Sequence, residues 1–483
     1  MLLKHFFVGK IAHSSYLLAG KNYCAVIDPQ RDIDVYITEA RTMGVEITHI
    51  IQTHLHADFI SGHMDLAKET GARIYMAESA KCTFDHVAIS EGDSIELEDM
   101  LLQVLETPGH TPEHLSYVVI DKSRSDSPIG VFVGDTLFVG DVGRPDLFPG
   151  KEEELARKLY HSLHDKLLKL PDYVEVYPAH GAGSLCGRAV GAKWRTTIGY
   201  ERNFNPVLQI KDKSVFVKSL TQDMHPAPDH FRRCSDINRH GPALVADLPN
   251  MKKLSPGQFK ERMSAANTVL LDVRGYHAFA GQHIPGVWHL DLKSNFPTFA
   301  GWVLPPDKDI LLIADDHGKA LEANTWARRV GLDRIVGYLD GGMVAWAVAG
   351  LRTSRIELTS VEDLHDMITG TTRFVLLDVR AELEYADIHI KGAINIPVAE
   401  LRTRHHELNK DKTTVLICSS GNRSTLGASI LKQHGFNDVH NVAGGLTGYH
   451  AAGYIRECRV CVNPHGSRFF ADFGEGKNHQ TAE

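Results

Sequence analysis

The chain has no apolar run near the roughly 18 residues that a membrane span requires, and Lys4, His5, Lys10 and His13 interrupt even its fairly apolar start. That start reads as a first strand, Leu2 to Val8, not as a targeting segment. Charge of one sign is missing too: 52 Lys and Arg stand against 60 Asp and Glu, a formal net charge of −8 with no long charged run. Without a basic patch nothing points to nucleic acid, so neither nucleic acid nor membrane is an expected partner. Cysteine is sparse. Cys24, Cys82, Cys186, Cys234, Cys418, Cys458 and Cys461 are odd in number and widely scattered, which makes a disulfide framework improbable and a reducing cytoplasm the expected setting.

What is present is a globular composition, 43% hydrophobic over 483 residues, enough for about three domains at roughly 150 residues each. A compact group of metal-type donors stands in Thr53 to Phe59, THLHADF, which sets His54, His56 and Asp58 within five residues after the apolar Ile47, Ile50 and Ile51. A turn at the end of a strand can converge such lone pairs on one ion. Further donors follow short apolar or β-branched runs: His110 after Leu101 to Leu105, Asp135 after Val131 to Val133, and His180 after Val174 to Tyr177. Loops at those places can aim side chains into a common cleft.

THLHADF resembles the HxHxDH signature of the metallo-β-lactamase superfamily, and His110, Asp135 and His180 follow in that superfamily's order. The resemblance implies an αββα sandwich over residues 1–230, with a connector to about 250. Strand alternates with helix as that fold requires: Tyr23 to Asp28 a strand, Ile33 to Thr42 a helix, Asp65 to Thr70 a helix closed at Gly71. The sixth signature residue, His in the dinuclear hydrolases, is Phe59 here. Phenylalanine has no lone pair, so two-metal activation of hydroxide loses a ligand.

The closer resemblance is to the persulfide dioxygenase branch, which implies one Fe(II) per chain held by His54, His110 and Asp135. Two imidazoles and one carboxylate leave positions for substrate and dioxygen. His56, Asp58 and His180 would then orient the ligands from behind. Arg144 would meet the carboxylates or phosphates of a thiol-bearing substrate; the competing reading pairs it with Asp146. Met224 to Pro249 is rich in Pro, His and charge and lacks a helical or strand period, so it reads as a connector wrapped on the first domain. Its resemblance to the linker of fusion enzymes suggests that Cys234 approaches the metal cleft.

The rest of the chain repeats. Leu270 onward parallels Leu376 onward, Leu311 parallels Val415, and Tyr338 parallels Asn441, offsets of 106, 104 and 103 residues that suit one small α/β domain. Both copies, 251–355 and 356–456, resemble rhodanese domains, doubly wound parallel sheets flanked by helices. Ser255 with Pro256, and Ser360 with Asp363, mark helix starts. Only the second copy carries a thiol loop, Cys418, Ser419, Ser420, Gly421, Asn422, Arg423 and then Ser424, between the strand Thr414 to Ile417 and a helix. Its amides can curl around the sulfur under a helix N-terminus, favouring the thiolate and holding a transferred sulfur. Arg423 adds charge for an anionic acceptor. Four residues between Cys and Arg, where phosphatases have five, suit sulfur better than tetrahedral phosphate.

In the first copy Ala314 stands in place of the thiol, followed by Asp315 and Asp316, so residues of about 250 to 355 read as an inactive spacer, docking surface or oligomerisation element. The tail, 457–483, offers a lone CRVC, a weak signal for zinc. The whole order resembles bacterial persulfide dioxygenase–sulfurtransferase fusions. It implies Fe(II)-dependent oxidation of a low-molecular-weight thiol persulfide, of glutathione, coenzyme A or similar, by O2 to sulfite. Sulfane sulfur would pass through Cys418 to or from sulfite and thiosulfate, in a protein expected to be a homo-oligomer. The two rival readings are a glyoxalase II-like thioester hydrolase fused to sulfur carriers, and a non-catalytic sulfur relay.

Overall fold

In the computed structural model, which describes residues 1–222, 224 and 226–455, the chain forms two compact units. The first comprises residues 1–248 with 328–331, the second the remainder. The Cys458 and Cys461 pair lies outside the described residues.

The first unit is built on two six-stranded sheets. One runs Leu2–Val8, His13–Ala19, Tyr23–Ile27, Glu46–Ile51, Arg73–Ala77 and Val87–Ile89 in spatial order. The other runs Thr196–Thr197, Glu175–Pro178, Pro128–Gly134, Leu115–Asp121, Met100–Glu106 and Ser94–Leu97. Side-chain alternation explains how they stack. Tyr16 and Leu18 face a core shared with Leu102, Tyr117 and Phe132 of the second sheet, whereas Leu17 and Ala19 of the same strand face Tyr36, Ala40 and Leu66. Helices Asp34–Met43 and His63–Thr70 therefore cover the outside of the first sheet. Val131 and Val133 do the same for the second sheet, meeting Leu159 and Phe216 of helices Glu152–His161 and Lys213–Thr221. This is the expected αββα sandwich.

The stretch read as a structureless connector is corrected: His230–His240 is a helix. Its buried positions, His230, Phe231, Cys234, Ser235 and Asn238, recur at helical spacing, but three of the five are polar. A search for apolar periodicity passes over such a stripe.

The second unit holds two parallel five-stranded sheets of identical order. The first runs Lys252–Leu254, Ile335–Leu339, Asp309–Ile313, Thr268–Asp272, Trp288–His289; the second runs Glu357–Thr359, Val439–Val442, Thr414–Ile417, Val375–Asp378, Ile394–Asn395. Near-continuous apolar strands such as Asp309–Ile313 and Thr414–Ile417 suit sheets covered on both faces. Ser255 with Gln258, and Ser360 with Asp363, form capping boxes at the starts of Pro256–Met263 and Val361–Thr369.

Candidate metal centre and sulfur loop

His54, His110 and Asp135 each follow the C-terminal end of a strand of the sandwich, Glu46–Ile51, Met100–Glu106 and Pro128–Gly134. The sheets thus deliver them to one edge. His110 Nε2 lies 3.3 Å from Asp135 Oδ2 and His54 Nε2 3.8 Å from it. All three atoms are buried and have no hydrogen-bond partner. Three orphaned lone-pair atoms buried together are costly unless a cation takes them, so these residues fit a metal.

The opposite side of each ligand is held. Thr53 Oγ1 donates to Asp28 Oδ2 at 2.8 Å, so its lone pair accepts from His54 Nδ1 at 2.9 Å. His110 Nδ1 donates to the Arg144 carbonyl at 2.9 Å. Both bonds leave Nε2 as the lone pair. The Asp135 amide donates to His114 Nε2 at 3.0 Å. Gly134, just before it, has φ 49°, and a β-carbon there would strike the His114 ring and the Thr53 hydroxyl at 2.4 and 2.6 Å.

His56, Asp58 and His180 stand around this group. His56 Nε2 faces Asp28 Oδ1 at 3.1 Å. His180 bridges two carboxylates, Nδ1 to Asp135 Oδ1 at 2.7 Å and Nε2 to Asp58 Oδ2 at 2.8 Å. Burial alone would lower its pKa, but Asp135 and Asp58 override it and raise it well above the usual imidazole range. Burial would raise the Asp135 pKa, and the His180 charge, aided by His110 and His54, holds it well below the carboxylate range. Phe59 is fully buried, its ring 4.0 Å from that of His13 and 4.4 Å from that of His56.

Arg144 is buried and pairs with Asp146 in a two-pronged contact, both bonds 2.7 Å, while Nη1 donates to the Leu185 carbonyl. This is the competing arrangement of the sequence reading; toward the metal site the residue presents its backbone carbonyl.

Two contributors escaped the sequence reading. Cys186, six residues beyond His180, forms a second buried donor group with Asp58 and His180. Burial, then the charges of Asp58 and Asp135, push its thiol pKa well up. Both His180 nitrogens are already bonded, so this group offers fewer free lone pairs than the first. Asn238 is the other. Its amide donates to the His56 and Phe59 carbonyls, both at 2.8 Å, and accepts from the Ser61 amide at 2.9 Å. Ser235 of the same helix donates to the Leu55 carbonyl. Helix His230–His240 thus clamps the donor loop through these two residues, with the buried Cys234 on the same face. Asn238→Leu leaves three buried groups unpaired, at about 1–3 kcal/mol each. Denaturant unfolding should fall by at least ~2 kcal/mol and metal affinity by roughly 10–100-fold; an unchanged midpoint and affinity would refute the clamp.

In the second unit Cys418 is buried at the end of Thr414–Ile417, and its sulfur accepts from the Gly421 amide at 3.1 Å and the Ser424 hydroxyl at 3.3 Å. Helix Asn422–Gln433 starts beside it, so the cradle favours a sulfur anion. Ser420, Asn422 and Arg423 are the half-buried members of the loop. Arg423 binds Glu384 through both terminal nitrogens, at 2.6 and 2.9 Å, and donates to Ser419 Oγ at 2.8 Å. Burial would raise the Glu384 pKa, but the guanidinium holds it below the usual carboxylate range. The first copy lacks this pair as well as the thiol, with Ala278 at the place of Glu384 and Lys319 at that of Arg423. Its Asp316 accepts from the Lys319 amide at 2.8 Å, capping helix His317–Arg329.

Residues 8–180 match the metallo-beta-lactamase superfamily, and 255–349 and 360–452 match the rhodanese-like domain. The chain is 30% identical over 239 residues to the mitochondrial persulfide dioxygenase ETHE1 of Mus musculus, spanning 48% of this chain and 85% of that protein. It is 33% identical over 229 residues to a hydroxyacylglutathione hydrolase of Pseudomonas entomophila, spanning 42% and 84%. A solved metallo-beta-lactamase from Staphylococcus aureus aligns at 33% identity and a TM-score of 0.63, covering 70% of this chain and 98% of its own. The chain belongs to the metallo-beta-lactamase superfamily, with an ETHE1-like N-terminal half followed by two rhodanese-like domains.

Proposed function

We propose that the first unit oxidises a low-molecular-weight thiol persulfide with O2 to sulfite at a single Fe(II) held by His54, His110 and Asp135, and that Cys418 carries the sulfane sulfur. Its relatives and its two rhodanese-like domains place the chain in sulfur detoxification. The observation that carries the finer reading is the set of three unpartnered, buried ligand atoms beside a Phe59 that has no lone pair. Bound there, Fe(II) supplies open positions for a thiolate sulfur and for dioxygen. The Thr53 hydroxyl and the Arg144 carbonyl fix the two imidazoles, and His180 fixes the carboxylate. The three ligand residues are themselves buried.

At the second site the sulfur of sulfite bonds to the outer sulfur of the Cys418 persulfide. The bond from Cys418 to that sulfur breaks, Cys418 leaves as the thiolate, and thiosulfate departs. No external oxidant or reductant enters. Gly421 and Ser424 stabilise the leaving sulfur, and Arg423 keeps the loop in shape through Glu384.

The hydrolase reading has a relative in its favour, but requires two metals. Counting metals separates the readings. Purified without air, the chain should hold about one iron, as a single three-donor site requires; two zinc ions per chain would support the hydrolase, and no metal a sulfur relay.

A further inference from the structure

The thiol-less copy does more than fill space. Tyr276, at the start of its helix Tyr276–Gly281, lies against the sulfur loop of the other copy. A β-carbon on Gly421 would meet the phenol's Cζ at 3.0 Å and its oxygen at 3.2 Å, so only glycine, here at φ 109°, lets the ring approach. Gly421 is the residue whose amide holds the Cys418 sulfur. The phenol also stands beside the Gly444 backbone, and a tyrosine hydroxyl has one proton to give. Burial raises the phenol's pKa, the Gly444 amide works against this, and the Cys418 sulfur raises it further; the group stays a donor at neutral pH. The two copies are also joined beside the loop by the His289 amide, which donates to Ser429 Oγ at 3.1 Å.

An anionic acceptor needs a donor at this mouth, and Arg423 is engaged by Glu384 and Ser419. The arrangement is one-sided, because the position in the second copy that matches Tyr276 is Glu382 and the first copy's loop has no thiol. Resting on the sulfur-carrier reading of Cys418, we propose that Tyr276 is the acceptor-binding residue of that site, its hydroxyl donating to an oxygen of sulfite, or of the sulfonate of thiosulfate, as sulfur moves.

The test uses the full-length, iron-loaded chain. Cys418 is loaded from glutathione persulfide, gain of one sulfur is read by intact mass, and transfer to sulfite and to cyanide is titrated. Cyanide has no oxygen to accept the bond. Tyr276→Phe keeps the ring and should raise KM for sulfite and for thiosulfate by roughly 10- to 100-fold, the worth of a hydrogen bond to a charged group. Loading, transfer to cyanide and oxygen uptake should stay at wild-type values. Tyr276→Ala should lose at least as much with sulfite. An unchanged sulfite KM in a Tyr276→Phe chain that still loads, or equal losses with sulfite and cyanide, overturns the assignment and leaves the sulfur-carrier reading standing. Failure of wild-type Cys418 to load removes that reading itself, and the assignment with it.

Discussion

Cys418→Ala is expected to leave persulfide-dependent oxygen uptake intact and to change the sulfur product from thiosulfate to sulfite. The substitution removes the sulfur that Gly421 and Ser424 hold and touches none of His54, His110 and Asp135, so oxygen uptake is its internal control. One chain carries both chemistries, and a tether raises the effective concentration of the second site to roughly the millimolar range. Sulfite formed in the first unit should then meet a loaded Cys418 before it escapes. Ion chromatography of the products decides: after subtraction of the direct reaction of sulfite with persulfide, the intact chain should give chiefly thiosulfate and the variant chiefly sulfite. Equal thiosulfate from both would mean that Cys418 works in the opposite direction, loading a thiol from thiosulfate.

The other large effect belongs to His110→Ala. His110 offers one of three unpartnered donor atoms, and its loss leaves a two-donor site. Altering even a partner behind a ligand costs 10–100-fold in metal affinity or activity, so loss of the ligand itself should cost roughly 100-fold or more. Iron content and oxygen uptake should vanish together while sulfur loading of Cys418 survives, because the thiol lies on another unit. Oxygen uptake surviving in the variant would remove His110 from the site.

Why some of this was legible in the sequence and some not has a physical basis. His54, His110 and Asp135 each follow a strand whose apolar residues announce it, so the ends of those strands could be read before the fold was known. The rhodanese-like pair was legible as a repeat, and the thiol loop as a contrast between Cys418 and Ala314. Asn238 was hidden because its helix buries a polar stripe, where hydrogen bonds to the Leu55, His56 and Phe59 carbonyls and the Ser61 amide take the place of apolar contact. Cys186 looked like one more scattered cysteine until folding set it beside Asp58 and His180. For Arg144 the structure holds the pairing with nearby Asp146 that stood as the competing reading, whereas Arg423 was assigned to an anion on charge and the structure gives it the distant carboxylate of Glu384. A linear reading sees a guanidinium but not the acid that folding brings to it.

The most direct measurement of the central claim is oxygen consumption by the iron-loaded chain, in an oxygen electrode, with glutathione persulfide or with a glutathione thioester as the only substrate. The account predicts oxygen uptake with the persulfide that scales with iron content and yields oxidised sulfur, and no thioester hydrolysis. Thioester hydrolysis without oxygen uptake, at two metals per chain, would contradict it.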